Sequence, residues 1–357
     1  DQDGFGDDAN ASTLRLRLNY GTAQWRAWSG FAEFDHVVEL VRDYNSGAGT
    51  STAVRGRYPV VADPGGPDLN QLYVQFAAAE HWRLRLGRQR ILLDDQRFVG
   101  GVGWRQNEQT YDGLSLHYTG LPGTTVQYTY VANVERIFGS DVPAGDHEQS
   151  THLLNVRRAV NDDLAVVAYA YLIDNDDAPA FSTNTFGIRA EGGVALGSAR
   201  LNLLGEYARQ SDAANAPADY DADYYRLRAL WKSGAITAGI GYEVLGSDNA
   251  QGFRTPLATL HAFNGWADKF LATPAGGLED RYLQLGYELG PWSLQALFHD
   301  FEAESSGASY GTELDVSAKR ALSKRADLLL KLAAFDSDEP SAFDDTTKAW
   351  LMLTTRF

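Results

Sequence analysis

Leu69 to Tyr118 reads LNQLYVQFAAAEHWRLRLGRQRILLDDQRFVGGVGWRQNEQTYDGLSLHY, and the alternation within it decides the fold. Leu72, Val74 and Phe76 alternate with Gln71, Tyr73 and Gln75, and after a short turn Leu84 and Leu86 alternate with Arg83 and Arg85. Successive side chains of a strand point to opposite faces, so each strand has one apolar face and one strongly polar face. A soluble sandwich seldom sets arginines and glutamines in rows behind a leucine stripe. A membrane barrel does, because lipid lies outside its wall and water inside.

The same period recurs along the 357 residues. Segments of the length that crosses a bilayer as a tilted strand are predicted at 13–20, 25–41, 69–78, 82–93, 110–118, 124–135, 152–160, 164–173, 183–194, 200–209, 222–232, 235–245, 281–289, 292–302, 310–320, 325–336 and 348–357. Short turns alternate with longer Asp/Gly/Pro/Ser-rich segments at 43–68, 94–109, 136–150, 174–182, 210–221, 246–280 and 337–347. That alternation is the habit of outer-membrane barrels, with the short turns periplasmic. The fold expected is therefore all-β: one transmembrane, antiparallel, up-and-down barrel over residues 1–357. Parity extends this. If the last strand ends in the periplasm, the first visible strand starts at the cell surface, so an eighteenth strand is expected before Asp1, with 1–12 as the first external loop. Leu351, Leu353 and the terminal Phe357 share one face, an ending suited to the outer-membrane insertion machinery, and the belt outside would contact lipid and lipopolysaccharide.

Composition narrows the function. There is no cysteine, which excludes disulfides, thiolate metal sites and a cysteine nucleophile. No apolar run is long enough for a transmembrane helix. The net charge of -16 and pI near 4.8 argue against nucleic acid as a partner. No G-x-S-x-G or HExxH spacing is present, so no catalysis and no cofactor are expected. An electron-transfer sheath would need partner proteins on which the sequence is silent. Asp1, Asp3 and Asp7 alternate as in a calcium loop but lack the later bidentate glutamate, and a solvated acidic loop is expected there, with no metal. The residues around His147 and His152 read as a polar loop.

Assigning polar faces to the interior puts Arg15, Arg17, Arg83, Arg85, Arg157, Arg189, Arg226, Arg228, Lys232, Lys319, Lys331 and Arg356 inside. Fewer acids accompany them, among them Glu33, Asp35, Glu191, Glu206, Glu243, Glu313 and Asp315, while most other carboxylates fall in loops. A bulge at Gly87 is expected, moving Arg88 and Arg90 to the interior and Gln89 to lipid. Either these cations pair with wall acids or their excess attracts anions. Tyr73, Tyr169, Tyr171 and Tyr224 would suit sugar rings or packing. The 246–280 segment carries Phe253, Arg254, Leu257, His261, Phe263, Trp266, Lys269 and Phe270. That apolar surface must be buried, and folding it into or over the pore would form a constriction.

Three stretches carry a resemblance: LGRQRILLDDQRFVGGVGWRQNEQTYDG, FRTPLATLHAFNGWADKF and DQDGFGDDANASTLRLRL. They resemble the alginate-export family of bacterial outer-membrane barrels across nearly the whole chain. The resemblance implies an eighteen-stranded barrel with a basic lumen for an anionic polysaccharide, and DQDGF following a first strand. The function expected is passive passage of anionic solutes, acidic uronate-containing saccharides such as alginate in particular. The alternative is a general diffusion porin for small hydrophilic solutes with a mild anion preference.

Overall fold

A computed structural model describes residues 2–48 and 55–357. Seventeen long strands form one antiparallel sheet, and each pairs with its neighbours in sequence. In chain order these are β1 (Asn10–Gly21), β2 (Trp28–Asp43), β3 (Gly66–Ala79), β4 (Trp82–Gln89), β5 (Thr110–Tyr118), β6 (Thr124–Glu135), β7 (Asp146–Ala159), β8 (Leu164–Ile173) and β9 (Thr183–Leu196). They continue with β10 (Ala199–Asp212), β11 (Asp221–Ser233), β12 (Ile236–Leu245), β13 (Leu278–Leu289), β14 (Trp292–Glu302), β15 (Ser309–Ser323), β16 (Ala326–Ser337) and β17 (Thr346–Thr355). A two-residue hairpin and a 3-10 turn at Leu260–Ala262 lie between β12 and β13. No helix among the described residues is long and apolar enough to cross a membrane.

The strands are long because alternation continues past the apolar runs. β7 starts at Asp146, six residues before the expected His152, since His147, Gln149 and Thr151 face inward and Glu148 and Ser150 outward. Polar residues alternating with polar residues give no hydropathy signal, so the extension escapes a pattern search. The apolar face points outward, as a lipid-facing wall requires: Leu14, Leu16 and Leu18 are 59%, 53% and 59% exposed while their neighbours Arg15 and Arg17 turn inside. β1 and β17 run in the same direction, as an odd number of antiparallel strands demands. Among the described residues no ladder joins them; they meet through a Gln2–Thr346 bridge and a bond from the Asp3 N–H to the Asp345 carbonyl. Residues 2–9 thus lie at the long-loop end, where the Gly6 and Asp7 N–H groups also reach the Arg57 carbonyl.

The expected bulge at Gly87 is absent. Pairing runs without interruption from Leu72↔Arg88 to Phe76↔Leu84 on one side and from Trp82↔Tyr118 to Gln89↔Tyr111 on the other. Gly87 instead has φ +120, and a Cβ there would collide with the Leu72 carbonyl, so glycine is needed for the close approach of β3. Gln89 is consequently buried beside Tyr111, and Arg88 stays on the face of Leu72 and Leu86. There it is held by Asp112 at 2.8 Å and Glu135 at 2.5 Å. Two carboxylates and a place at the end of the strand, where the cost of a lipid-facing charge falls, make the outward arginine tolerable. Arg90 does reach the interior, but because the chain leaves the sheet after Gln89.

Candidate functional site: two inward segments and the charged wall

The interior is crossed by two segments that leave the long-loop end: 90–109, between β4 and β5, and 253–277, between β12 and β13. Both have apolar residues that solvent would not hold. Ile91, Leu93, Phe98 and Val99 are buried in the first, and Phe253, Leu257, Trp266 and Phe270 in the second. The segments pair with each other, with the Gly100 N–H donating to the Leu257 carbonyl at 2.8 Å beside a Val99–Leu257 bridge. Gly100 has to be glycine here, because an added Cβ would meet the Thr259 hydroxyl and the Gln96 side chain. Gln109 donates to the Gly100 and Leu257 carbonyls, and the Tyr111 hydroxyl donates to Gly100 at 2.7 Å, closing the junction from the wall.

Aromatic packing seats the segments. Phe98 lies against Tyr169, Tyr171, Tyr224 and Phe253, with ring centroids 5.2 to 6.1 Å apart. Those three tyrosines are therefore buried in packing and closed to a sugar ring. Phe270 packs against Phe301, Tyr310, Phe335 and Phe343. Lys331 on β16 points its ammonium at Trp104, Trp266 and Trp350, at 4.4, 3.7 and 5.6 Å from the ring centroids. Its Nζ lies 2.7 Å from His261 Nε2, and His261 Nδ1 lies 2.7 Å from Asp268. Burial first, with Lys331 adding to it, lowers the His261 imidazole to about 4 although Asp268 opposes this. The ring is neutral at pH 7, donating to Asp268 through Nδ1 and accepting from Lys331 through Nε2.

Ion pairs at the same level bind segments to wall. Asp95 bridges Arg189 at 2.6 Å and Arg226 at 2.7 Å. Burial opposes ionisation of Asp95, yet these two guanidinium groups outweigh it and hold the carboxyl down at about 2. Arg97 reaches Glu243 at 2.6 Å, Arg105 reaches Asp268 at 3.1 Å, and Arg17 meets both Asp35 and Glu108, at 2.5 and 2.6 Å. Arg90 lies between Glu33 and Glu108, and Arg189 also reaches Glu191 at 2.9 Å. Arg15 donates to the Arg105 and Gln106 carbonyls. Arg17, Arg90, Arg189 and Arg226 are thus neutralised within this belt. Segment 90–109 contributes as much as 253–277, although in the sequence it reads only as a loop. Its clustered Ile91, Leu93, Phe98 and Val99 are the signal that could have placed it inside.

Toward the short turns the picture changes. Arg83, Arg228, Lys232 and Lys319 make no salt bridge among the described residues, and Arg85 has only Gln75 at 3.1 Å and the Tyr73 ring at 4.2 Å. Arg157 is paired with Glu191 at 2.6 Å and Arg356 with Asp327 at 2.8 Å. Of the remaining residues of the long segment, Arg254 bonds the Ala180 carbonyl and Gln251, Phe263 stacks between Arg97 and Arg226, and Lys269 lies over Phe335. Asp7 is bound to Arg57 at 3.0 Å and Asp3 caps the chain-end contact through its backbone, while Asp1 lies outside the described residues. Among the described residues no group of three potential ligands could hold a metal ion.

The sequence matches the family described as alginate export over residues 6–243, two thirds of the chain. The chain belongs to the alginate-export family. Among solved structures it is similar to Acinetobacter baumannii OccAB4, with a TM-score of 0.78 at 14% identity, covering 99% of this chain and 94% of that one. It is also similar to Pseudomonas aeruginosa OpdK in complex with vanillate, at 0.72, 13%, 97% and 92%, and to Pseudomonas aeruginosa OccD3, at 0.70, 12%, 98% and 88%. No curated protein matches the sequence. At such identities the neighbours establish the fold, an outer-membrane β-barrel of the porin type. The family member described here is accordingly a porin-like channel of the outer membrane.

Proposed function

We propose that this family member is a passive channel for anionic solutes, uronate-containing saccharides such as alginate in particular. The observation that carries the reading is the row of interior cations without carboxylate partners among the described residues: Arg83, Arg85, Arg228, Lys232 and Lys319. Fixed charge in a low-dielectric tube focuses the field and raises the local concentration of the opposite ion. Arg85 over Tyr73, with the Phe31 ring stacked 5.4 Å beyond, offers a guanidinium beside an aromatic face, a pairing suited to a carboxylate carried on a sugar ring. A vanillate complex of a structural neighbour is consistent with carboxylate passage through this fold.

The neutralised belt favours a second reading, a general diffusion porin with a mild anion preference, because the level occupied by the inward segments has little net charge. Planar-bilayer recordings separate the two. An anion-selective reversal potential in a salt gradient, with saturable block by oligo-uronate, supports the saccharide channel; a weakly selective conductance without block supports the general porin. Replacing Arg83, Arg85, Arg228 and Lys232 together by glutamine shifts selectivity toward cations. Unchanged selectivity would remove these residues from the permeation path.

A further inference from the structure

Fixed charge changes sign along the barrel. At the long-loop end Asp176, Asp177, Asp219, Asp338, Glu339 and Asp345 are exposed to solvent. At the short-turn end Arg83 is the second residue of β4 and Lys232 the second-to-last of β11, and Lys319 lies four residues before the end of β15. At about 3.3 Å per residue, these groups lie within roughly 15 Å of the turns. Glu288 is the interior acid at that level without an ion pair among the described residues; Glu191 and Asp327 are taken up by Arg157 and Arg356. Between the two ends lies the belt of mutually neutralised pairs.

We propose that this axial reversal makes the channel a rectifier and gives polyanions faster access from the short-turn, periplasmic face than from the cell surface. The inference rests on the reading of the chain as an anion-conducting channel. At about 0.1 M salt the Debye length is roughly 10 Å, short against a hydrocarbon layer of about 30 Å. Each end therefore keeps its own counterions, anions near Arg83 and Lys232 and cations near the loop carboxylates. A field with the outside positive drives anions from the basic end and cations from the acidic end toward the middle, where both accumulate and conductance rises. The opposite field empties the middle of both. A polyanion arriving from the periplasm meets an attractive potential, whereas from outside it meets a repulsive one, and steering of this kind changes association rates by about tenfold or more.

The test uses single channels in planar bilayers with known orientation. The chain has no cysteine, so Asn215→Cys, in an exposed external loop, marks that face through a membrane-impermeant thiol reagent added to one chamber. In symmetric KCl at about 0.1 M, current with the outside positive exceeds the reverse current by roughly twofold, and at about 1 M, where the Debye length is about 3 Å, the curve becomes symmetric. Trigalacturonate blocks with a faster association rate from the short-turn side. The Arg83, Arg85, Arg228, Lys232→Gln variant, checked for folding by its shift on unheated SDS gels, loses rectification. A second variant, Asp176, Asp177, Asp338→Asn with Glu339→Gln, reduces it from the other end. A symmetric curve at low salt, or rectification of the opposite sense, overturns the inference. An anion-selective reversal potential with a symmetric curve sinks the rectifier and leaves the anion channel standing. Cation selectivity without block sinks the anion channel whatever the shape of the curve.

Discussion

Asp95→Asn tests whether the inward segments are held by shared ion pairs. Asp95 offers one oxygen to Arg189 at 2.6 Å and the other to Arg226 at 2.7 Å, and both arginines are buried, at 3% and 5% exposure. Lowering its carboxyl from 3.8 to about 2 corresponds to roughly 2 kcal/mol of net attraction at neutral pH. The sign follows from the depressed value: the contribution is complete above the ordinary 3.8 and disappears as pH falls through about 2. Removing one partner of a fully buried pair costs about 3 to 5 kcal/mol, but Arg189 keeps Glu191 and Arg226 still feels Glu243. About 2 to 3 kcal/mol is therefore expected, a change of roughly 30- to 150-fold in the ratio of displaced to seated segment. Single-channel recordings would show it as more frequent conductance fluctuations. The same variant removes one negative charge at the level of the belt and moves the reversal potential toward anions. Asp94→Asn is the control, since Asp94 makes no salt bridge among the described residues and accepts a bond from Asn155 at 2.8 Å, with Arg189 acting on it only at longer range, and its change costs about 1 kcal/mol. Asp95→Asn with wild-type fluctuations and selectivity, or indistinguishable from Asp94→Asn, would refute the ion-pair account.

Lys331→Met keeps an aliphatic stem among Trp104, Trp266 and Trp350 but loses the bond to His261 and the cation–π contacts; about 1 to 3 kcal/mol less anchoring should speed tryptic cleavage after Arg254 and Lys269 by roughly fivefold or more. Acid should loosen the same segment between pH 6.5 and about 4, because the buried imidazole of His261 refuses a proton that the released one accepts. That stability is complete above 6.5 and falls by up to about 3 kcal/mol as pH approaches 4. Fluctuations recorded across this window should rise in the wild type and stay flat in His261→Gln, and a flat wild type would contradict the neutral-ring assignment. Gly100→Ala places a methyl against Thr259 and Gln96 and should cost about 1 to 3 kcal/mol through overpacking, seen as cleavage of both inward segments, whereas Gly103→Ala in the same segment, where the added atom meets only Glu108 Oε1 at 3.8 Å, should leave them protected.

The wall was legible because lipid and water impose a two-residue period that local sequence cannot hide. Leu14, Arg15, Leu16 and Arg17 reveal both faces of β1 without any knowledge of its neighbours. Seventeen strands follow from repeated application of that one rule, and the external loops follow from their length. What remained hidden depends on partners far apart in the chain. Arg17 and Arg83 look alike in sequence, two interior arginines beside leucines. One is neutralised by Asp35 on the adjoining strand and by Glu108, 91 residues away, and the other has no salt bridge among the described residues. The wall and the inward segments decide this together, Asp35 from the neighbouring strand and Glu108 from segment 90–109. Both leave from the long-loop end and bring Asp95, Glu108 and Asp268 to the level of Arg226, Arg17 and Lys348 of the wall. Arg83, Arg228, Lys232 and Lys319, nearer the short turns, lie beyond them and have no salt bridge among the described residues, whereas Arg157 and Arg356 are paired with Glu191 and Asp327 of the wall. Asp95, Glu108 and Asp268 are carried on segments anchored at the long-loop end, so the cations without an ion pair among the described residues are found toward the short turns, out of reach of these three acids.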